Sequence, residues 1–440
     1  MTGKIVKVIR ADSHEGKRAL SALSRRTVSI PEEIEIRVKD IIETVKSQGD
    51  EALTDFTRQF DCPEFTPSMI RVSEEEIDRA FDKVDALLIS SIQKARDQID
   101  EFHRRQLPES WFMTRENGVI LGQMVHPVDA AGLYVPGGQG GKTPLVSSVL
   151  MNGIPARIAG VNRIVLCTPP GPDGFVSPAL LVAARLTGIH EVYRVGSAWA
   201  IAALAYGTET IKPVDVVAGP GNIYVTAAKK LVSGTVAIDM IAGPSEILII
   251  ADASAPPAFV AADMLSQAEH DPLATSILVT TSERLAIETA NELEHQLARL
   301  ERAETARKSL EDNGLIIIAS TTGEACKIAN SIGPEHLELM VEDPWSLVPS
   351  IRHAGAIFLG RFSPEPIGDY IAGPNHVLPT MGTARFSSAL GVETFMKKSS
   401  LIYYTEEGFE QDADDVMRLA QIEGLTAHRQ SVEIRKKAKG

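Results

Sequence analysis

Apolar and polar positions alternate along this chain with two different periods. Over residues 31–105 the period is helical: in EEIEIRVKDIIETVKSQGDEAL the apolar residues Ile34, Val38, Ile41, Ile42 and Val45 share one face. Ser73, three residues before Glu76, fits a capping box and marks another helix start. This region predicts packing helices with no chemistry of their own. From about residue 130 short apolar runs take over, each followed by a helical stretch. AAGLYV precedes VSSVLMNG, RIVLC precedes PALLVAARL, EVYRV precedes AWAIAALAYG, and VDVV precedes NIYVTAAKKLV. Strands about 30 residues apart with helices between them predict βαβ units and a parallel sheet. A second block repeats the pattern: EILIIAD, a helix over 256–270, ATSILVTT, a helix over 283–298, GLIIIAS, a helix near 322–331, then AGAIFLG.

The fold class predicted is therefore α/β, with two blocks whose strand ends leave a cleft between them, the usual place for a ligand. After about residue 390 the chain reads as a helical tail ending in RKKAKG. A tail of about 40 residues cannot bury a core of its own, so it must dock on its own body or on another subunit.

Composition narrows the choice of partner. The 440 residues are 44% hydrophobic and 23% charged, which suits about two to four soluble globular domains. Lys and Arg number 44 against 58 Asp and Glu, and the net charge of −14 repels phosphate backbones, so no nucleic acid is expected. No apolar run approaches the ~18–20 residues that span a bilayer, and the start, MTGKIVKVIRADSHEGKRAL, lacks the apolar stretch of a signal peptide. No membrane partner is expected, and the expected compartment is the cytoplasm. Cys62, Cys167 and Cys326 are far apart and unpaired in pattern, which predicts buried small hydrophobes in place of disulfides or a thiolate metal site.

Several segments could carry chemistry. The loop from Pro136 through Gly137, Gly138, Gln139, Gly140, Gly141 and Lys142 to Thr143 lies between a strand and a helix, where backbone N–H groups bind phosphate. It nearly matches a P-loop, and an NTPase is one reading, but Pro136 stands where the first glycine belongs. Gly219-Pro220-Gly221-Asn222 is a second strand-to-helix turn. Asp263, Gln267 and His270 stand at i, i+4 and i+7 on one helix stripe, and an imidazole there suits zinc, although a hydrogen-bonded structural histidine is the commoner case. Glu335-His336 sets a carboxylate beside an imidazole after a turn, types suited to proton transfer near neutrality. The loop with Asp369 and His376 is rich in Gly, Pro and polar residues after a strand. His14, His103 and His295 read as surface helix residues.

Taken together these segments resemble the histidinol dehydrogenase family. The likeness is carried by GLYVPGG at 132–138, IAALAYGTE at 201–209, GPGN at 219–222, IDMIAGPSE at 238–246, DMLSQAEHDP at 263–272, PEHLEL at 334–339, GDYIAGPNHVLPT at 368–380 and EGLTAHR at 423–429. The resemblance implies two incomplete Rossmann-like parallel-sheet domains with small helical N- and C-terminal extensions. Its boundaries would be an extension over 1–27, a discontinuous metal and catalytic domain over 28–132 plus 243–390, an NAD-side domain over 133–242, and a tail over 391–440. It implies one Zn²⁺ per site on Gln267, His270, Asp369 and His428, and NAD against Tyr134, Asn222 and position 199. Ser245, His376 and Glu423, with His336 and the metal ligands, would contact L-histidinol. Glu335 and His336 would be the catalytic pair of a four-electron oxidation to L-histidine, the last step of its biosynthesis. The family is a homodimer whose tail completes the neighbour's site, so Glu423 and His428 would come from a second copy. Three departures fall on the cofactor side: Trp199 where Gln is usual, Ser197 where Gly is usual, and a Gly-rich loop about three residues longer than the common form. A related zinc dehydrogenase acting on another small polar alcohol, such as a sulfonated diol, is the nearest alternative.

Overall fold

The computed structural model describes residues 5–137 and 143–438. In its first third the strands are β1 (Lys7–Arg10), β2 (Trp111–Thr114), β3 (Ile120–Pro127) and β4 (Ala130–Tyr134). Then come β5 (Arg163–Cys167), β6 (Glu191–Tyr193), β7 (Val216–Ala218), β8 (Ala237–Ile238) and β9 (Glu246–Ala251). The last are β10 (Thr275–Thr280), β11 (Leu315–Ile318), β12 (His336–Met340), β13 (Ala356–Leu359) and β14 (Met396–Tyr403).

Two of the three sheets are parallel. One has the order β1-β11-β10-β9-β12-β13 and the other β6-β5-β4-β7-β8. Leaving β1 aside, both place their strands as third, second, first, fourth, fifth along the chain, so each has one switch point: between β9 and β12, and between β4 and β7. The segments EILIIA, TSILVT and AAGLY are buried throughout, as strands covered on both faces must be. Helices Pro257–Ala268 and Glu283–Leu297 cover one face of the larger sheet, packing Val260, Met264, Leu285 and Leu293 on Ile247, Ile249 and Leu278. Helix Thr322–Ile332 covers the other, with Ala325 and Ile328 on Leu248, Ile250, Leu337 and Leu339. No helix among the described residues is long and apolar enough to cross a membrane.

The packing departs from the sequence-drawn boundaries in three places. Lys7–Arg10 of the N-terminal extension pairs with β11 as an edge strand, too short to show a periodic signal. Helices Glu32–Gln48 and Asp50–Phe60, assigned to the first domain, place Val38, Ile41, Val45 and Leu53 in the same core as Ala200, Ile201, Val225 and Val232 beside the five-stranded sheet. The tail expected to be helical begins with β14, which pairs antiparallel with β3, itself paired with β2. That sheet belongs to a second compact unit, Leu107–Pro127 plus the chain from Met396 on, with helices Glu406–Ile422 and Thr426–Lys437. Both parallel sheets lie in the first unit, which takes in the chain up to Gln106 and Val128–Phe395.

Candidate active site

Helix Thr322–Ile332 ends at Gly333, whose φ of +61° suits glycine, and Pro334 and Glu335 lead into β12. Alternation along the strand puts His336, Glu338 and Met340 on one face, with Leu337 and Leu339 on the other in the apolar core. His336 is 3% exposed and its Nδ1 lies 3.1 Å from the backbone oxygen of Glu246 on β9. A carbonyl only accepts, so Nδ1 carries the proton and Nε2 keeps its lone pair. Nε2 is buried without a hydrogen-bond partner, 3.9 Å from Asp369 Oδ1 and 4.0 Å from Glu365 Oε1. Burial holds the imidazole down to about 4, so it is neutral near pH 7. Glu335 Oε2 accepts the Glu246 N–H at 2.8 Å, and burial lifts its carboxyl well above the usual range, assisted by Glu246, Asp369 and Glu365 nearby.

This pair sits at the amino edge of β9 and β12, the side opposite to the one where open α/β sheets usually take ligands. Helix Pro257–Ala268 runs back along the strand it follows, and so delivers Gln267 and His270 to the same edge. Gln267 is fully buried, with Nε2 3.0 Å from His270 Nδ1, while His270 is exposed at the mouth. Asp369 comes from helix Glu365–Tyr370, and one ligand atom each of His270, Glu365 and Asp369 lies within 4.8 Å of the others. Gln267 Oε1, Glu365 Oε1 and His336 Nε2 are buried without hydrogen-bond partners. Carboxyl, amide and imidazole donor atoms turned inward on one another fit a borderline divalent cation such as zinc, which would displace the proton a raised carboxyl carries.

Glu365 escaped the sequence reading. It is 1% exposed, its N–H donates to Glu338 Oε1 at 2.8 Å, and Glu338 in turn shares a side-chain hydrogen bond with Asp263. Burial raises Glu365 to about 9 and Asp263 to about 6. The signal was its spacing: Glu365 precedes Asp369, as Asp263 precedes Gln267, by one helical turn. His376 joins the cluster with Nδ1 3.0 Å from the Asp369 carbonyl and Nε2 3.5 Å from Ser148 Oγ. Ser245, half-buried, immediately precedes β9. Glu423 and His428 lie in the second unit, both exposed. His103, read as a surface residue, is fully buried, with Nδ1 2.7 Å from Gln106 Oε1.

The other sheet has its switch point at the carboxyl ends of β4 and β7. Gly219 has φ +119°, and a Cβ there would come 2.0 Å from the Tyr134 carbonyl oxygen. Its N–H donates to Asp239 and its carbonyl accepts from Lys229 Nζ at 3.0 Å, and these two side chains form a buried ion pair. Asn222 Oδ1 accepts from the N–H groups of Tyr224 and Val225 and caps helix Ile223–Val232. Tyr134 is buried, and its hydroxyl accepts from the N–H of Ser197, whose φ of +46° is a conformation that favours glycine. A glycine-floored crevice at a switch point fits a dinucleotide. Stacking by Trp199 does not fit: Phe56 and Phe60 stack on it at 5.6 and 5.5 Å, and the indole is 4% exposed. Of the Gly-rich loop on which the P-loop reading rested, residues 138–142 lie outside the described ones.

The class is an α/β oxidoreductase, built on two Rossmann-like sheets in one unit, one of which bears a buried imidazole beside carboxyl groups. The family model described as histidinol dehydrogenase matches residues 24–436, and the chain belongs to this family. It is 57% identical to the histidinol dehydrogenase of Desulfotalea psychrophila, over 97% of this chain and 98% of that one. The Nitratidesulfovibrio vulgaris protein of the same name is 59% identical over 91% and 92%. A crystal structure of histidinol dehydrogenase from Elizabethkingia anophelis superimposes with a TM-score of 0.93 at 38% identity, covering 100% of this chain and 99% of that one.

Proposed function

We propose that the chain oxidises L-histidinol to L-histidine through the aldehyde, in the cytoplasm, as the last step of histidine biosynthesis. The observation that carries the reading is His336: its tautomer is set by the Glu246 carbonyl, and its free Nε2 faces the Asp369 and Glu365 carboxyls. When bound, Zn²⁺ on Gln267, His270, Asp369 and a second copy's His428 would grip the amine and imidazole nitrogens of histidinol, and NAD beside Tyr134 and Asn222 would accept electrons twice.

The residues divide the remaining work. His336 Nε2 takes the hydroxyl proton of the alcohol, and later that of the aldehyde hydrate. Glu335 takes a proton from the water that forms the hydrate, the work of a carboxylate next to the base. Ser245 and His376 line the substrate pocket, and Glu423, delivered with His428 by the tail of a second copy, contacts the substrate beside them. Exposed Val416, Leu419 and Ile422 on one face of helix Glu406–Ile422 support such a dimer.

An NADH-coupled assay with and without a chelator tests the reading. Two NADH per histidinol are expected, lost on chelation and restored by zinc. A single NADH, or turnover indifferent to the chelator, would overturn it.

A further inference from the structure

Dinucleotide folds place an acid after the second strand of the sheet, where it meets the ribose hydroxyls. The five-stranded sheet has none there: β5, its second strand in chain order, runs out into Thr168, Pro169 and Pro170, and the adjacent β6 into Arg194, Val195 and Gly196. An acid reaches this spot from another part of the chain. Asp61 ends helix Asp50–Phe60, and its Oδ2 lies 3.5 Å from where a Cβ on Gly196 would stand, with Pro169 Cβ 2.8 Å from the same point. Asp61 Oδ2 is buried and has no hydrogen-bond partner among the described residues. Burial raises its carboxyl to about 6. Burial chiefly raises the Tyr134 hydroxyl at the end of β4, and the Asp61 carboxyl adds to it, so the two groups are neighbours beside the switch point. A buried acceptor without a donor costs free energy, and a ligand hydroxyl would offset that cost.

We propose that Asp61 accepts hydrogen bonds from the adenosine ribose hydroxyls of NAD and excludes NADP, whose 2′-phosphate would set negative charge against a buried carboxylate. The assignment rests on the reading of the chain as an NAD-linked dehydrogenase. A side chain at Gly196 would press on Pro169 and stand in contact with the Asp61 carboxyl, so the glycine keeps this spot open.

The test measures equilibrium binding of NAD and of NADP by calorimetry on the zinc-loaded enzyme, and cofactor KM with histidinol, for the native chain, Asp61→Asn and Asp61→Ser. The native chain should prefer NAD by about a hundredfold or more, and Asp61→Ser should close that gap by at least about tenfold, through weaker NAD and tighter NADP binding. Zinc content and histidinol KM should hold. An unchanged NAD to NADP ratio in both variants, or an equal loss of both cofactors in the isosteric Asp61→Asn, would overturn the assignment. Failure of the underlying reading shows separately, as a native chain that yields no NADH from histidinol.

Discussion

At His336 the decisive atom is Nε2. The Glu246 carbonyl can only accept, so the proton facing it sits on Nδ1, the tautomer is chosen by the β9 backbone, and the Nε2 lone pair is left toward Asp369 and Glu365. His336→Asn keeps a donor for that carbonyl and removes the base, so kcat should fall about 10²- to 10⁴-fold with zinc content unchanged, measured by steady-state assay and metal analysis. The same variant carries a pH signature in the metal-stripped protein. Burial depresses the ring to about 4 from the ordinary 6.5, so between those values the unfolded chain binds a proton that the folded one refuses. Stability is therefore lost as the pH falls from 6.5 toward 4, by at most about 3 kcal/mol, and His336→Asn should flatten that part of the denaturation profile. Trp199 makes the contrasting case of a residue held by packing alone: Phe56 and Phe60 stack on its indole, and the ring is buried.

The turn between β7 and helix Ile223–Val232 shows how an element is held for function. Lys229 and Asp239, both buried, clamp the carbonyl and the N–H of Gly219, and Asn222 ties down the first turn of the helix. Lys229→Met would leave Asp239 buried without its cation, so unfolding should become easier by about 3–5 kcal/mol, and NAD KM should rise more than histidinol KM. Denaturant titration and kinetics on the same preparation measure both. Elements of this kind were legible in the sequence because buried parallel strands are nearly continuous apolar runs and their turns are written in glycine. β12 was not, because His336 and Glu338 interrupt its apolar pattern on one face, and those interruptions are the site itself. Glu365 went unseen for a related reason: a lone acid in SPEPIGDY looks like a solvated loop residue until folding buries it against Glu338. Edge strands β1 and β14, charged at Lys7, Arg10, Lys397 and Lys398, carry the composition that exposed edges need, which hides them from a hydrophobicity reading.

At the scale of the whole molecule, the question is which copy of the tail serves which site. Helix Thr426–Lys437 has no buried residue, and His428 on it is exposed. On the preceding helix Ile422 is 84% exposed, and Leu273, three residues after His270, is 65% exposed. Apolar surface of this extent on two parts of a chain is what a self-complementary interface would cover. The crossing tail can be tested by mixing two inactive proteins, His336→Asn and His428→Asn, under conditions that let subunits exchange. If each tail completes the other copy's site, a mixed dimer carries one site with both defects and one with neither. Random exchange puts half of all dimers in the mixed form, so about a quarter of native activity should return. If each tail served its own body, every site in the mixture would keep one lesion and no activity would return, whatever the extent of exchange. Titrating one variant against a fixed amount of the other should raise total activity to a plateau, as every subunit of the fixed partner enters a mixed dimer, whereas contamination by native enzyme would raise it linearly.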